Sequence, residues 1–381
     1  MKHLHRRPAV LALPLVAALI ISLQGAGNQA QAPADIIKSV KAQLAPDTRL
    51  TVFDIKAEPK DATLEISGEV DRADARDAVL KALRDAGHQQ LTDKILVLPD
   101  ASFGAQHFGV VTVSVATMKS KPSHPSELGN QLMMGMPVKV LKKENGWYFA
   151  QSLDDRYLGW MEPDHIAIMT REALDAFHAA PRLVITSLFT IVREQPAATA
   201  AAVSDVVMGD ILLGGESKGG WVAAQLPDGR KGYVEAGAVE GFTAWKAARA
   251  VTPDNIEKTA RLFVGVPYLW GGTSPKGFDC SGFTKTVFRA NGYELQRDAD
   301  QQAGQGEAVS MDGDLAQLRK GDLVCFGPRA GVTRITHIGI YLGGKLFIHC
   351  AGKVKLNSFD PASPIYSDSL LKRLVTVRRI A

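Results

Sequence analysis

The chain has 381 residues, of which 46% are hydrophobic and 22% charged, and its formal net charge at pH 7 is +4. The composition is that of an ordinary globular protein, and the length exceeds what one hydrophobic core usually supports, so we expect several domains. A charge this close to neutrality argues against a nucleic-acid-binding protein, which should present a strongly basic face.

The start of the chain has the pattern of an export signal. Three basic residues precede an apolar run at residues 9–23, and Ala30-Gln31-Ala32 supplies small residues for a cleavage site. The run is short for a membrane span, and no cysteine lies near the cleavage site to carry a lipid. We expect residues 1–32 to be removed on export to the periplasm or beyond, leaving a mature form without a stable membrane span. An uncleaved anchor is the alternative.

Residues 33–102 are predicted to form a small α+β domain. The predicted elements, in chain order, are a helix at 35–44, strands at 50–55 and 63–70, a helix at 72–86 and a strand at 95–98. Asp71 is the candidate N-cap of the second helix, and Gly87 is its stop signal. This order resembles the BON-like domains of exported bacterial proteins, and a simple spacer is the alternative.

The middle of the chain contains an internal repeat with an offset of 74 residues. The repeated pairs are Met134-Gly135, Gly146-Trp147 and Ala150-Gln151, which recur as Met208-Gly209, Gly220-Trp221 and Ala224-Gln225. Short β-like runs separated by turn clusters predict a small barrel in each copy, at residues 105–175 and 180–242. We expect the Gly-Trp pairs to be core or turn features rather than ligand contacts.

A last domain is predicted from residue 248 to residue 381, and residues 242–251 are predicted to form the linker into it. Thr252 is a good N-cap, and Pro253 suits the first position of a helix. The domain should therefore begin with a helix of its own.

Cys280 follows a loop rich in glycine and precedes a run with helical periodicity. Phe283 and Val287 recur four residues apart, and Gly292 follows as a stop, so residues 280–290 are predicted to form a helix. A cysteine at a helix N-terminus is favoured as a thiolate, and the free N–H groups there can help to form an oxyanion hole. The alternative is a buried structural cysteine.

His337 and His349 lie in two β-like segments downstream. A thiol nucleophile needs a base, and the base needs an orienting partner, so these histidines complete a catalytic set. Side chains alternate along a strand, so the two histidines share a face only if the loop near Gly343-Gly344 has an odd length or a strand carries a bulge. A regular two-residue hairpin would place His349 on the opposite face.

The other two cysteines, Cys325 and Cys350, lie in or beside apolar runs, and we expect both in the core. A disulfide between them is possible in an oxidising compartment, but the sequence alone does not decide it. The sequence has no CxxC pair and no HExxH helix, so we expect no metal site and no cofactor.

The combination of these segments resembles the NlpC/P60 family of bacterial cell-wall cysteine peptidases. The matching segments are residues 267–283, Gly321-Asp322, residues 336–343 and residues 347–349. The resemblance implies a papain-like α+β domain in which Cys280 is the nucleophile, His337 the general base and His349 the orienting residue. Both repeats resemble bacterial SH3-like barrels, so the expected fold is multidomain: a small α+β domain, two all-β barrels and the peptidase domain.

The resemblance also implies substrate contacts. The positions carried over are Tyr268, Trp270, Asp279, Ser281, Glu127, Tyr157, Arg297 and Asp298. Of these, Tyr268 would polarise the scissile carbonyl, and Asp279 with Glu127 would meet a cationic amine. The alternatives are a surface charge for Glu127, a barrel-core role for Tyr157, and an exposed charged loop for the segment containing Arg297 and Asp298.

The implied substrate is a murein stem peptide, cut between γ-D-glutamate and a diamino acid and carrying a free N-terminal L-alanine. One alternative is a hydrolase of intact peptidoglycan or a related amidase. The other is a wall-binding protein whose peptidase domain is inactive. The expected partner in each case is peptidoglycan or its peptides, and the sequence does not indicate an oligomeric state.

Overall fold

A computed structural model describes residues 31–312 and 315–380. The predicted export signal, residues 1–32, lies outside the described residues except for its last two positions. Within the described ranges, no helix is both long enough and apolar enough to span a membrane.

The N-terminal unit has the predicted order of elements. They are α1 (Pro33–Leu44), β1 (Phe53–Lys60), β2 (Thr63–Val70), α2 (Ala73–Asp85) and β3 (Leu91–Val97). The sheet order is β1-β2-β3, with β2 antiparallel to β1 and parallel to β3, and both helices contribute to one core with it. The predicted N-cap Asp71 is wrong by one residue, because Arg72 holds that position without a side-chain cap. Gly87 ends the helix with a φ of 97°.

Two seven-stranded sheets follow. The first contains β4 (Phe108–Val111), β5 (Val115–Lys119), β6 (Leu128–Met133), β7 (Pro137–Glu144), β8 (Trp147–Ser152), β9 (Leu158–Met161) and β10 (Ile166–Met169). After α3 (Arg171–Ala179), the second contains β11 (Arg182–Ile185), β12 (Phe189–Arg193), β13 (Ala202–Val207), β14 (Ile211–Lys218), β15 (Trp221–Gln225), β16 (Lys231–Glu235) and β17 (Val239–Gly241).

The two sheets have the same strand order. It runs β6-β5-β9-β8-β7-β4-β10 in the first sheet and β13-β12-β16-β15-β14-β11-β17 in the second, so each strand has its counterpart in the repeat. Gly135 and Gly209 occupy equivalent turns with φ of 82° and 97°, which explains why both copies keep glycine there. The buried Asp210 carboxylate joins the sheets, since it accepts hydrogen bonds from the backbone N–H groups of Met134 (3.0 Å) and Val207 (2.8 Å).

The segment between the second sheet and the last domain is not simply a linker. It begins with a helix, α4 (Phe242–Ala248), whose rings Phe242 and Trp245 lie under the guanidinium groups of Arg182 and Arg249. These cation–π contacts give the segment a fixed place in the structure.

The last domain packs helices on an antiparallel sheet. Its elements are α5 (Pro253–Leu262), β18 (Thr273–Ser274), β19 (Gly277–Phe278), α6 (Cys280–Ala290), α7 (Ala299–Gln302), β20 (Glu307–Val309), β21 (Leu323–Phe326), β22 (His337–Gly343), β23 (Leu346–Ala351), β24 (Lys353–Ser358), α8 (Asp368–Arg373) and β25 (Leu374–Arg379). The sheet order is β20-β25-β21-β22-β23-β24. Thr252 caps α5 as predicted, and α6 has the predicted bounds.

The apolar face of α6 is buried against this sheet. Phe283 and Val287 share one core with residues of β22 and β23, and Cys325 and Cys350 are fully buried as predicted. All three cysteines are free, so Cys325 and Cys350 do not pair, and the thiol of Cys350 donates to the carbonyl oxygen of Phe278 at 3.2 Å.

Gly282, in the first turn of α6, lies against the Gly272 backbone. A Cβ at position 282 would overlap the carbonyl oxygen of Gly272. Gly282→Ala should therefore lower the free energy of unfolding by about 1–3 kcal/mol, as overpacking does elsewhere. Gly237→Ala is the matched control, because a Cβ there meets nothing within 4 Å. Equal denaturant midpoints for the two variants would contradict this account.

Candidate active site

Asp279 caps the helix that carries Cys280. One oxygen of its carboxylate accepts the backbone N–H of Gly282 at 2.6 Å, and the other accepts that of Gly271 at 3.0 Å. Side-chain caps of this kind satisfy donors that the first helical turn leaves free. Asp279 therefore fixes both the helix and the preceding loop, with Cys280 as the first helical residue.

The charge of Asp279 is balanced inside the protein. Arg297 is 1% exposed, and its guanidinium donates to Asp279 at 2.6 Å, to the hydroxyl of Ser281 at 3.0 Å and to Asn130 of the first sheet at 2.9 Å. The alternative of an exposed charged loop is wrong for Arg297, which lies behind the cavity wall and not on it. A charged residue is buried in this way only when it is paired and hydrogen-bonded.

The packing of α6 on β22 places Cys280 in one core with Ile338, the residue after His337. The backbone N–H of Ile338 lowers the pKa of the Cys280 thiol and so favours its thiolate form. The thiol is 8% exposed, and burial raises its pKa to about 12. Burial, reinforced by the negative charge of Asp279, therefore opposes the thiolate that a helix N-terminus favours.

The two histidines share one face of the sheet, and Nε2 of His337 lies 2.7 Å from Nδ1 of His349. The register pairs Gly339 with His349, as an odd-length loop would, and a bulge separates Tyr341 from Gly343. Gly343, Gly344 and Lys345 all have positive φ, between 57° and 89°, so the two-residue turn plus the bulge supplies the required offset.

Asn357 completes a hydrogen-bonded chain that sequence reasoning missed. Its amide nitrogen donates to the carbonyl oxygen of Ile365 at 2.9 Å, and its amide oxygen lies 2.9 Å from Nε2 of His349. Because a carbonyl cannot donate, the amide oxygen must accept the Nε2 proton of His349. Nδ1 of His349 is then an acceptor, His337 carries its proton on Nε2, and Nδ1 of His337 keeps a lone pair.

Aromatic side chains enclose the two imidazoles. Phe326 lies 5.5 Å from the ring of His337, and Phe347 lies 5.3 Å from that of His349. Burial lowers the pKa of His337 to about 3 and that of His349 to about 4. Both rings are therefore neutral at pH 7, which leaves Nδ1 of His337 free to accept a proton.

The thiol faces a cavity of about 550 Å³ whose wall comes from three parts of the chain. The sequence-predicted residues on this wall are Tyr268, Trp270, Asp279, Cys280, Ser281, Glu127, Tyr157 and Asp298. Burial, with Cys280 nearby, raises the pKa of the Tyr268 hydroxyl to about 12, so it is protonated and able to donate. Trp270 is 62% exposed at the surface of the cavity.

The N-terminal unit was not predicted to contribute to this wall. Thr48 and Arg49 of the N-terminal unit line the same cavity, and Arg49 forms ion pairs with Asp298 (2.8 Å) and Asp300 (2.9 Å). These ion pairs join residues some 250 positions apart, so local sequence patterns do not predict them.

Among the described residues, no cluster of histidine, cysteine and carboxylate side chains could hold a metal ion.

Comparison with known proteins identifies two parts of the chain. Residues 265–379 match the model of the NlpC/P60 family, and residues 119–166 match that of the bacterial dipeptidyl-peptidase SH3 domain. The chain carries a peptidase domain of the NlpC/P60 family. The SH3 match lies within the first of the two seven-stranded sheets.

Relatives of the chain include enzymes with two related names. Dipeptidyl-peptidase 6 of Lysinibacillus sphaericus is 26% identical over 70% of this chain and 97% of its own. The gamma-D-glutamyl-L-lysine dipeptidyl-peptidase of Bacillus subtilis is 40% identical over 31% of this chain and 41% of its own. A crystal structure of an NlpC/P60 family protein from Bacillus cereus covers 72% of this chain and 99% of its own, with a TM-score of 0.62 at 23% identity, which shows a shared fold.

The pKa shifts predict a neutral resting state of the peptidase. Since burial raises the pKa of Cys280 to about 12 and lowers that of His337 to about 3, the thiol and imidazole should remain uncharged between these values. Alkylation of the free protein by iodoacetamide should therefore accelerate steadily as pH rises through the alkaline range. The Cys280→Ala variant provides the background from Cys325 and Cys350. A rate that levels off below about pH 8, under the ordinary thiol pKa of about 8.5, would contradict a neutral pair.

Proposed function

We propose that the protein hydrolyses the bond between γ-D-glutamate and the diamino acid of murein peptides that carry a free N-terminal L-alanine. The observation that carries the proposal is the chain from His337 through His349 to Asn357, which keeps a lone pair on Nδ1 of His337. In the proposal this lone pair serves the thiol of Cys280, which shares one core with the neighbouring residue Ile338. The names of two relatives, gamma-D-glutamyl-L-lysine dipeptidyl-peptidases, support the choice of bond.

The proposed reaction begins with proton transfer from Cys280 to Nδ1 of His337 as the sulfur attacks the γ-carbonyl carbon. The developing oxyanion is stabilised by backbone N–H groups at the start of α6 and by the hydroxyl of Tyr268. His337 then gives its proton to the departing amine of the diamino acid, and a thioester remains. Water, deprotonated by His337, attacks the thioester, releases the γ-carboxylate and restores the thiol.

His349 and Asn357 act as positioning residues in this proposal. When His337 takes the thiol proton it becomes a cation, and its Nε2–H bond to His349 strengthens as positive charge develops. The neutral relay therefore stabilises the transition state more than the resting state, which is what catalysis requires. The low resting pKa of His337 makes the imidazolium costly unless a negative sulfur or oxyanion lies beside it.

The cavity wall supports selection of a cationic substrate end. Glu127, Asp298 and Asp300 line it, whereas Asp279 is already balanced by Arg297. We therefore assign the contact with the substrate ammonium to Glu127 and Asp298, beside Tyr157, and assign Asp279 mainly to holding the nucleophile helix. Ser281 bridges Asp279 and Arg297, and Trp270 flanks the entrance.

The domain assignment belongs to the same proposal. We assign residues 33–102 to a small BON-like domain, 105–175 and 180–242 to SH3-like barrels and 248–381 to the peptidase domain. The shared strand order of the two sheets supports the second barrel. Because the family acts on peptidoglycan, we place the protein in the periplasm or outside the cell, in line with the signal-like start at residues 1–32.

Hydrolysis of defined peptides tests the proposal. The tripeptide L-Ala-γ-D-Glu-diamino acid should be cleaved to release the diamino acid. Its N-acetyl form should be cleaved at least about tenfold more slowly, because it loses a charge-assisted hydrogen bond that contributes about 1.5–3 kcal/mol. Mass spectrometry of the released diamino acid measures the rate of both reactions. Equal cleavage of both peptides, or release of material from intact sacculi at a comparable rate, would instead support hydrolysis of intact wall.

Cys280→Ala is the matched test of the nucleophile in the same assay. It should lower turnover by orders of magnitude with an unchanged fold, because losing one member of a catalytic unit disables the whole. Cys325→Ser should change mainly the thermal midpoint, since this side chain is buried away from the cavity. Full activity of Cys280→Ala would disprove the mechanism.

Asn357 provides a separate test of the relay. Asn357→Ala should reduce kcat about tenfold with little change in KM, the equivalent of one lost hydrogen bond of about 1.5 kcal/mol. Asn357→Asp keeps an acceptor for His349, so it should retain more activity, and its negative charge should move the acidic limb of the kcat profile to higher pH by raising the histidine pKa. An unaltered kcat in Asn357→Ala would remove Asn357 from the mechanism.

A further inference from the structure

The N-terminal unit reaches the catalytic cavity through one turn, which joins α1 to β1. Within it, the backbone N–H of Leu50 bonds to the carbonyl oxygen of Asp47 at 3.2 Å. The turn also bonds to the first sheet, since the N–H of Leu158 donates to the carbonyl oxygen of Arg49 and the amide of Gln151 donates to that of Leu50, both at 2.8 Å. The backbone of this turn is therefore held in place.

The guanidinium of Arg49 uses all five of its N–H donors on three carboxylates. Nε and Nη2 donate to Asp47, Nη2 and Nη1 donate to Asp300, and Nη1 donates to Asp298, at 2.8–2.9 Å. A saturated guanidinium has no donor left for a substrate anion. Its role must therefore be exerted through the carboxylates that it holds.

Charge balance makes this arrangement relevant to a cationic substrate. The group contains one cation and three carboxylates, so it keeps an excess of negative charge beside the cavity. Arg49 separates Asp298 from Asp300, whose carboxylates would otherwise repel each other at short range. Asp298 also begins α7 through a capping box with Gln301, and Gln301 donates to Asp47 at 2.7 Å. The N-terminal unit and the peptidase domain thus fix the Asp298 side chain together.

We infer that Arg49 is a specificity-determining positioning residue that holds the Asp298 carboxylate in the orientation that receives the substrate's ammonium group. The N-terminal unit is then part of the substrate site and not a spacer. The inference rests on the proposed function, because it assigns Arg49 to the same ammonium subsite. The backbone of the turn is hydrogen-bonded to the first sheet. A movement of the whole turn away from the cavity would therefore also break these hydrogen bonds.

The charges around Asp298 give the direction of the pH effect. Burial raises the pKa of Asp298 above its ordinary value, and Arg297 and Arg49 oppose this rise. Burial, with Asp298 nearby, also raises the pKa of Tyr157, so its hydroxyl stays protonated at neutral pH. Removing Arg49 takes away one of the two cations, so the Asp298 carboxylate should take up a proton at a higher pH, and affinity for an ammonium group should be lost earlier on acidification.

Kinetics of Arg49 variants of the full chain test this inference. Arg49→Ala should raise KM for the free tripeptide about tenfold while kcat changes by less than about twofold, and the acidic rise in KM should move to higher pH. KM for the N-acetyl tripeptide should not change, because it has no ammonium group. Arg49→Lys should restore part of the KM effect, since an ammonium group can bridge two of the three carboxylates. Arg72→Ala, which removes an exposed pair with Asp74 in the same unit, is the control.

The outcomes separate this inference from the proposed function. If the wild-type protein cleaves neither peptide, the proposed function fails, and calorimetric binding of the free tripeptide to Cys280→Ala with and without Arg49→Ala still tests the subsite. If the wild type cleaves the free peptide and Arg49→Ala keeps the same KM and pH profile, the inference is overturned. Equal losses on free and acetylated peptides, with no rescue by lysine, would show a merely structural role and also overturn it.

Discussion

The buried ion pair between Arg297 and Asp279 is the interaction on which the rest of the site depends. Two charges taken out of water are stable only when their hydrogen bonds are nearly complete, and here they are completed by the first turn of α6, by Ser281 and by Asn130 of the first sheet. The same pair therefore caps the nucleophile helix and fastens a neighbouring domain to it. Removing either charge would leave the other stranded in the interior, so helix, loop and sheet depend on one another.

In the proposed mechanism, the free protein prepares the reaction by fixing the geometry of the catalytic residues and not by ionising them. The enclosure that excludes water from the thiol and the imidazoles keeps all of them neutral, so the reactive ion pair must form together with the bond to the substrate. What the fold supplies in advance is the tautomer of His337, fixed by a chain of three hydrogen bonds that ends at a backbone carbonyl. A bulge and a two-residue turn put the donors and acceptors of that chain on one face.

Local sequence patterns predicted the helices and strands that carry the site residues. They did not predict the polar contacts between residues far apart in sequence. The bounds of α6 followed from apolar spacing. Strand parity left open whether His337 and His349 share a face, and the bulge between Tyr341 and Gly343 decides that they do. The burial of Arg297 was not predicted, because a charged residue among polar neighbours has the pattern of a surface loop and its partner Asn130 lies far away in sequence. Asn357 could have been predicted from the sequence. A tight turn at Gly352 pairs His349 with Lys355 and places Asn357 diagonally opposite His349 on the same face of the sheet.

Because the two seven-stranded sheets have the same strand order, their sequences can be compared position by position within one chain. Residues that both copies keep, such as the Met-Gly turn and the Gly-Trp pair, are those that the common strand order requires. Residues that face the peptidase domain differ: Glu127 in the first copy corresponds to Ala201 in the second, and the second copy contributes nothing to the described wall of the catalytic cavity. The second copy meets the last domain in a different way, through an ion pair between Asp205 and Lys276 at 2.5 Å. The same fold therefore supplies a wall of the cavity in one copy and a structural contact in the other.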